Sequence, residues 1–339
     1  MTKSSVSPQE GKGPLSPSYE SYEDIKQLRD SQVNEIAEDP MKLNDAHDEW
    51  IKETIALAIQ KVESERGPSP AHFAFFLMGS AGRKEQATFS DQDHGIVFDG
   101  SDEEHQSYFL KVGEEIREGM AHVGYPRCEG KVMASHPRWC HSIDGWKEQI
   151  DGWIESDTWE TLRHLLTFVD ARTLVGETGF LEEIKNHVFQ KAQENPSLLK
   201  RMSENTSYLH KGVNAFGRLL PEDKGAYTGS MHIKDVGFFP YVHAMRLLAI
   251  KERIQEAGTA SRMDQTSEKY PFVQGKKDHF NHMLDLRASF SKKQKTYDDV
   301  HYVPIEDLDK DEKQQLKKAL KEGKNLFQQT KKHMESGDQ

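Results

Sequence analysis

The sequence predicts a small mixed α/β domain followed by a mostly α-helical domain, and three features of its pattern carry that prediction. A short apolar run, AHFAFFLM (71–78), has strand length and ends at Gly79-Ser80. A second strand-length segment, DQDHGIVFD (91–99), follows a polar stretch and leads into a long amphipathic segment. Beyond Pro137 the hydrophobic spacing is helical almost to the end. Strand, turn, short helix, strand, helix is the opening of an α/β unit.

Residues 1–18, rich in Ser, Pro and Gly without hydrophobic periodicity, are expected to be a disordered leader. Ile25, Leu28, Val33 and Ile36 recur at helical intervals in the acidic segment that follows. A second helix, from about Asp45 to Glu65, carries Trp50, Ile51, Ile55, Ala58, Ile59 and Val62 as one stripe, and Gly67-Pro68-Ser69-Pro70 stops it. These N-terminal helices occupy 19–66. The α/β domain is expected over 67–140, with AGRKEQATFS holding one or two helical turns between its first strands. Segment 102–122 places Tyr108, Phe109, Val112, Ile116 and Met120 on one helical face. The helical domain, 141–335, is expected to contain helices at 142–155, 157–168, 180–193, 198–217, 236–257, 277–291 and 309–334.

Composition narrows the function. Among 339 residues, 45 Lys and Arg stand against 56 Asp and Glu, a net charge of −11 that disfavours long nucleic acid as a partner. A mean hydropathy of −0.80, no apolar run of membrane-spanning length and no apolar segment near the start predict a cytoplasmic protein with no membrane partner. Two cysteines, Cys128 and Cys140, cannot build a disulfide framework.

The chemistry is concentrated in LMGSAGRKEQATFSDQD (77–93). Gly79 and Ser80 lie between a strand and a helix start, where free backbone N–H groups hold phosphate oxygens, and the Ser80 hydroxyl adds a donor. Asp91 and Asp93 are at i and i+2 of a predicted strand, so their carboxylates share a face. Such a pair suits Mg²⁺, which takes oxygen ligands and completes its shell with water and substrate phosphates. As surface groups at a metal site they are expected to contribute little to stability. No Gly-Lys-Ser/Thr follows the glycines, which excludes a P-loop, and their spacing is not that of a dinucleotide fingerprint.

This stretch resembles the signature of the DNA polymerase β-type nucleotidyltransferase superfamily. More narrowly, GSAGRKEQATFSDQDHGIVF is similar to the nucleotidyltransferases related to the N-terminal domain of protein-PII uridylyltransferase, at Gly79, Ser80, Gly82, Arg83, Glu85, Ser90, Asp91 and Asp93. The resemblance continues through GYPRCEGKVMASHPRW (124–139) and into the helical region, covering roughly residues 40–330. It implies an α/β nucleotidyltransferase domain with a helical C-terminal domain. It also implies Mg²⁺ on Asp91 and Asp93, the β/γ-phosphates of an NTP on Gly79 and Ser80, and Arg83 against the triphosphate. A salt bridge between Arg83 and Glu85 is the other reading of that pair.

Relatives in the superfamily present a third carboxylate on a later strand, expected here near 127–135, where Glu129 and otherwise Asp99 are available. Lys234, Arg246 and Lys251 are candidate cationic helpers. Lys234 follows a helix-joining segment, YTGSMHIKDVG, and is assigned to nucleotide binding, with a solvated lysine as the alternative. Cys128, His136, Cys140 and His141 lack the spacing of a zinc site. The sequence therefore predicts a Mg²⁺-dependent transfer of a nucleoside monophosphate from an NTP to a protein or small-molecule hydroxyl. The alternative is a catalytically degenerate relative that senses nucleotide or binds a partner.

Overall fold

Helix α1 (Tyr22–Ile36) starts where the Ser21 side chain accepts from the Asp24 N–H, and α2 (Pro40–Arg66) where Asp39 accepts from the N–H groups of Met41 and Lys42. Gly67 ends α2 with a positive φ of 87°. The computed structural model describes residues 16–205 and 210–336. The expected leader lies outside them except for 16–18, where Ser18 bonds Glu53 of α2. Strand β1 (Phe73–Leu77), a single helical turn α3 (Gly79–Gly82), β2 (His94–Phe98) and α4 (Asp102–Val123) follow. Then come β3 (Cys140–Ser142), α5 (Ile143–Ser156), α6 (Trp159–Phe168), β4 (Arg172–Gly176), α7 (Thr178–Glu194) and α8 (Pro196–Asn205). The chain continues with β5 (Ser230–His232), α9 (Phe239–Glu252), α10 (Thr259–Thr266), α11 (Lys276–Phe290), β6 (Tyr302–Pro304) and α12 (Lys310–Ser336).

Four strands form one mixed sheet in the order β3-β2-β1-β4. β1 is antiparallel to both β2 and β4, while β2 and β3 run parallel, with Ile96 opposite Cys140. Successive side chains of β1 enter different cores. Phe75 and Leu77 pack with Ile25, Trp50, Ile51 and Phe109 of α1, α2 and α4. Ala74 and Phe76 pack with Trp139, Trp146 and Phe168, in a core that continues into α7–α12. A sheet covered on both faces needs no polar alternation, which is why AHFAFFLM reads as an unbroken apolar run. Helix α9 is buried around most of its circumference (Tyr241, Val242, Met245, Leu247, Leu248, Ile250), and α12 lays Leu316, Leu320 and Phe327 against this core.

Several expected boundaries move. The fourth strand, β4, lies well beyond residue 140, so the sheet is completed from the region expected to be mostly helical. The helix expected at 198–217 ends at Asn205; residues 206–209 lie outside the described residues, and Val213 and Leu219 beyond them form an isolated bridge. Segment 236–257 begins instead as a π turn, Lys234–Phe238. It becomes α9, with Pro240 just after the π turn, and is capped by Arg253 in the left-handed region. β5 and β6 pair as an antiparallel ribbon within the helical region. Among the described residues no helix is long and apolar enough to cross a membrane.

Between α6 and β4 lies Asp170, fully buried. Its Oδ2 accepts from Arg83 at 2.5 Å and from Arg246 at 2.5 and 2.9 Å, and its Oδ1 accepts from Arg262 at 2.8 Å. Burial would raise its pKa, but Arg246, Arg83 and Arg262 hold it well below the usual carboxylate range. These arginines come from the loop after α3, from α9 and from α10, so one carboxylate ties the sheet to the helices. Asp170→Asn leaves three inward-facing guanidiniums without their common anion. It should cost about 3–5 kcal/mol in urea unfolding. A loss below about 1 kcal/mol, the level of a surface pair, would show that the cluster is no anchor.

Candidate active site

Strand β1 ends in extended backbone at Met78, and the chain turns at Gly79, whose φ is +55°. A Cβ on Gly79 would lie 2.3 Å from Asp93 Oδ2, so only glycine lets the turn approach this carboxylate. Gly82, at the other end of α3, meets a different constraint: a Cβ there would lie 2.1 Å from the Asp170 carbonyl oxygen. The Ser80 and Ser90 hydroxyls are 3.3 Å apart, which brings the start of α3 beside the approach to Asp91. The Met78 N–H donates to the Asp93 carbonyl at 2.8 Å and fixes the relation between the turn and the aspartates.

After Arg83 the chain reaches β2 through irregular, largely buried backbone, whose polar groups must find partners outside regular structure. The N-terminal helices supply several. The Asn44 amide exchanges bonds with Gln86 N–H and C=O (2.8 and 3.3 Å), a His47 ring nitrogen meets Ala87 O at 3.0 Å, and Arg29 donates to Thr88 O at 2.8 Å. The helical region supplies others. Arg287 donates to Glu85 O at 2.7 Å, and the Glu85 carboxylate accepts from the Thr259 N–H at 3.2 Å. Arg172 of β4 binds Asp48 through both nitrogens (2.8 and 3.0 Å) and also donates to the Ala81 and Gly82 carbonyls that end α3.

Asp91, Gln92 and Asp93 precede β2 rather than belonging to it, because the strand starts at His94. The alternation expected of a strand nonetheless holds. The Gln92 amide turns inward, donating to Tyr125 O and Arg117 O and meeting His94 Nε2. Asp91 and Asp93 are left on the other side, each half-buried. Cys128 joins them: one ligand atom from each of the three lies within 4.8 Å of the others. Segment 127–135 is a loop with a turn at Glu129-Gly130, where a strand bearing a third carboxylate was expected. It brings a thiol to the pair.

From the helical region, Lys234 faces the same carboxylates and draws down the pKa of both. Its Nζ donates to Tyr297 Oη at 3.2 Å, and Tyr297 is near enough to Asp91 for the Asp91 charge, after burial, to push the phenol well above its usual range. The structure thus brings together Gly79, Ser80, Asp91, Asp93 and Lys234. It sends Arg83 elsewhere: the guanidinium bonds Glu85 at 2.7 Å and Asp170, so the salt-bridge reading is the one the geometry supplies. Arg246 likewise goes to Asp170, and Lys251 lines a separate surface hollow with Glu252 and Lys269. Of the four zinc candidates only Cys128 reaches the site. Cys140 is buried in β3, His141 meets Asp102 at 2.6 Å, and His136 caps the turn before β3.

Burial, and next the charge of Asp91, push the Asp93 carboxyl up to about 7, against the pull of Cys128, Lys234 and Arg83. Burial also raises Asp91, which Lys234 and Tyr297 pull back. Burial and Asp93 push the Cys128 thiol up to about 12. The carboxylates are therefore not the surface groups expected from sequence, and their repulsion destabilises the metal-free fold. A carboxyl raised on folding stabilises the folded state fully below its unfolded pKa of about 4. That contribution is lost as pH rises through about 7. The metal-free protein should lose stability from about pH 4 to about pH 7 and level off above that, and Asp93→Asn should flatten the loss and raise Tm above pH 7 by a few degrees. A variant with unchanged pH dependence would show that the pair carries no strain.

Residues 27–160 match the family model described as "Putative nucleotidyltransferase DUF294". Residues 196–334 match the one described as "Putative nucleotidyltransferase substrate binding domain". No curated protein matches the chain at a significant level. The first match contains the glycine turn, both aspartates and Cys128, and the second contains Lys234 and Tyr297. The aspartate pair lies on one matched region and the facing lysine on the other, and the two matches together support a nucleotidyltransferase family for this chain.

Proposed function

We propose that the chain is a Mg²⁺-dependent nucleotidyltransferase that moves a nucleoside monophosphate from an NTP to a protein or small-molecule hydroxyl, releasing pyrophosphate. The convergence of Asp91 and Asp93 beside the Gly79-Ser80 turn, opposite Lys234, carries this reading. Two adjacent half-buried carboxylates fit the oxygen preference of Mg²⁺, which supplies charge neutralisation and polarisation at a phosphoryl group when bound. Gly79 and Ser80 offer backbone N–H groups and a hydroxyl to the β/γ-phosphates. Lys234 takes the place that the sequence resemblance gave Arg83, because Arg83 is held by Glu85 and Asp170. The resemblance to protein-PII uridylyltransferase makes UTP the first donor to test.

One observation favours the second reading, a degenerate enzyme that senses nucleotide or binds a partner: Cys128 stands where a third carboxylate was expected. A thiol is a poor Mg²⁺ ligand but suits softer ions. With Co²⁺ as probe, a thiolate-to-metal charge-transfer band that vanishes in Cys128→Ser would make the thiol a third ligand. A spectrum unchanged by the substitution would leave the carboxylates to hold the ion alone.

The decisive experiment is a thermal-shift panel of the four NTPs with and without Mg²⁺, followed by a turnover assay on the NTP that binds. An NTP at 100 times its Kd stabilises the fold by about 2.7 kcal/mol. Asp91→Asn combined with Asp93→Asn should abolish the Mg²⁺-dependent part of that shift. Wild-type binding by the double variant would remove the site from consideration, and binding without turnover would favour the degenerate reading.

A further inference from the structure

Tyr297 is a further side chain at the site, held by Lys234. It lies in the turn between α11 and β6, a segment rich in Lys and Asp. The base of this turn is fixed. Asp299 accepts from the N–H groups of Lys295 and Thr296 at 3.0 and 2.9 Å and from the Tyr227 hydroxyl at 3.0 Å. Its tip points the Tyr297 ring inward, edge-on to His301 with ring centroids 4.8 Å apart, while Thr296 and Asp298 on either side are exposed.

The Lys234 hydrogen bond orients the phenol. A tyrosine hydroxyl has one proton to donate and lone pairs to accept with. Lys234 has only protons to give and occupies a lone pair at 3.2 Å, so the phenol proton is not engaged by it and the neighbouring carboxylate is Asp91. A second lone pair stays on the oxygen. A buried tyrosine serving packing alone needs one polar partner, as Tyr241 has in the Ala319 carbonyl at 2.7 Å. Tyr297 instead joins the carboxylate pair and the lysine that would receive the triphosphate. It presents a hydroxyl, the functional group that a nucleotidyltransferase uses as acceptor.

We propose that Tyr297 is an internal acceptor and that the protein transfers a nucleoside monophosphate onto its own Tyr297 hydroxyl. The proposal rests on the nucleotidyltransferase reading of the site. With an NTP on the Gly79-Ser80 turn, the Tyr297 oxygen forms a bond to the α-phosphorus and the α–β phosphoanhydride bond breaks. Pyrophosphate leaves, and the phenol proton is released to water. The product is a tyrosyl phosphodiester, and no oxidant or reductant is needed. The exposed turn that carries Tyr297, in neither helix nor strand, is the kind of element that can bear the added nucleotide outward.

The test incubates the full chain with Mg²⁺ and each NTP, measures intact mass, and maps modified peptides. The expected result is a gain of one nucleoside monophosphate on Tyr297, with equimolar pyrophosphate. Tyr297→Phe, which keeps the ring and removes the hydroxyl, should abolish the gain. Mg²⁺-dependent NTP binding without mass gain would overturn the proposal and leave the nucleotidyltransferase reading standing. So would a gain that persists in Tyr297→Phe, or pyrophosphate release without modification. Absence of NTP binding to the wild type would overturn both.

Discussion

Asp170 is the point on which the relation between sheet and helices depends. It is a single carboxylate with no exposed surface, and it receives arginines from three parts of the chain that are far apart in sequence. Three guanidiniums gathered away from water would repel one another without it. The arginine forks are also directional. Arg246 bonds one carboxylate oxygen through two nitrogens, while Arg262 takes the other oxygen and the Val169 and Glu256 carbonyls as well. The cluster therefore fixes orientation as well as distance, which packing of Leu and Phe side chains alone does less sharply.

The segment between α3 and β2 shows what that fixed relation makes possible. Its backbone follows neither a helix nor a strand, yet much of it is buried, and its carbonyls are met one after another by Arg287, Asn44, His47 and Arg29. Two of these side chains come from α2, one from α1 and one from α11. A loop held from both sides in this way behaves as a rigid element, and rigidity is what two neighbouring carboxylates require if they are to stay close while repelling each other.

Much of this was legible in the sequence because it rests on short-range pattern. The apolar strand, the Gly79-Ser80 turn and the Asp91/Asp93 spacing are contiguous, and each leaves a local signature. Ser21, Asp39 and Gly67 likewise mark helix ends by their own chemistry. The parts that were missed are long-range. Asp170 looks like an ordinary acid at the end of LRHLLTFVD, and nothing local distinguishes it from a surface residue. The strand RTLVG was absorbed into a helical region because its partner, β1, is about a hundred residues earlier. By sequence Cys128 groups with His136, Cys140 and His141 as a zinc candidate, whereas its neighbours in space are two aspartates. Tyr297 lies in a lysine-rich run whose average character is that of a solvated surface, and an average conceals one inward side chain.

The turn Gly79–Gly82 joins two electrostatic situations of opposite kind. At its C-terminal end Gly82 lies against the Asp170 carbonyl, beside a cluster in which arginines outnumber carboxylates and every guanidinium has an anionic partner. At its N-terminal end Gly79 lies against Asp93, where two carboxylates share one facing lysine and the balance is anionic. The first cluster is complete without any ligand and behaves as structure. In the second, Lys234 and the Tyr297 proton compensate Asp91 in part, and Asp93 is left with a carboxyl that burial and its neighbour push toward the neutral form. A site with excess negative charge, mounted on a turn that a satisfied cluster holds rigid, is built to gain stability from an incoming cation. The stability forgone in the empty site then contributes to the affinity for whatever brings the missing charge.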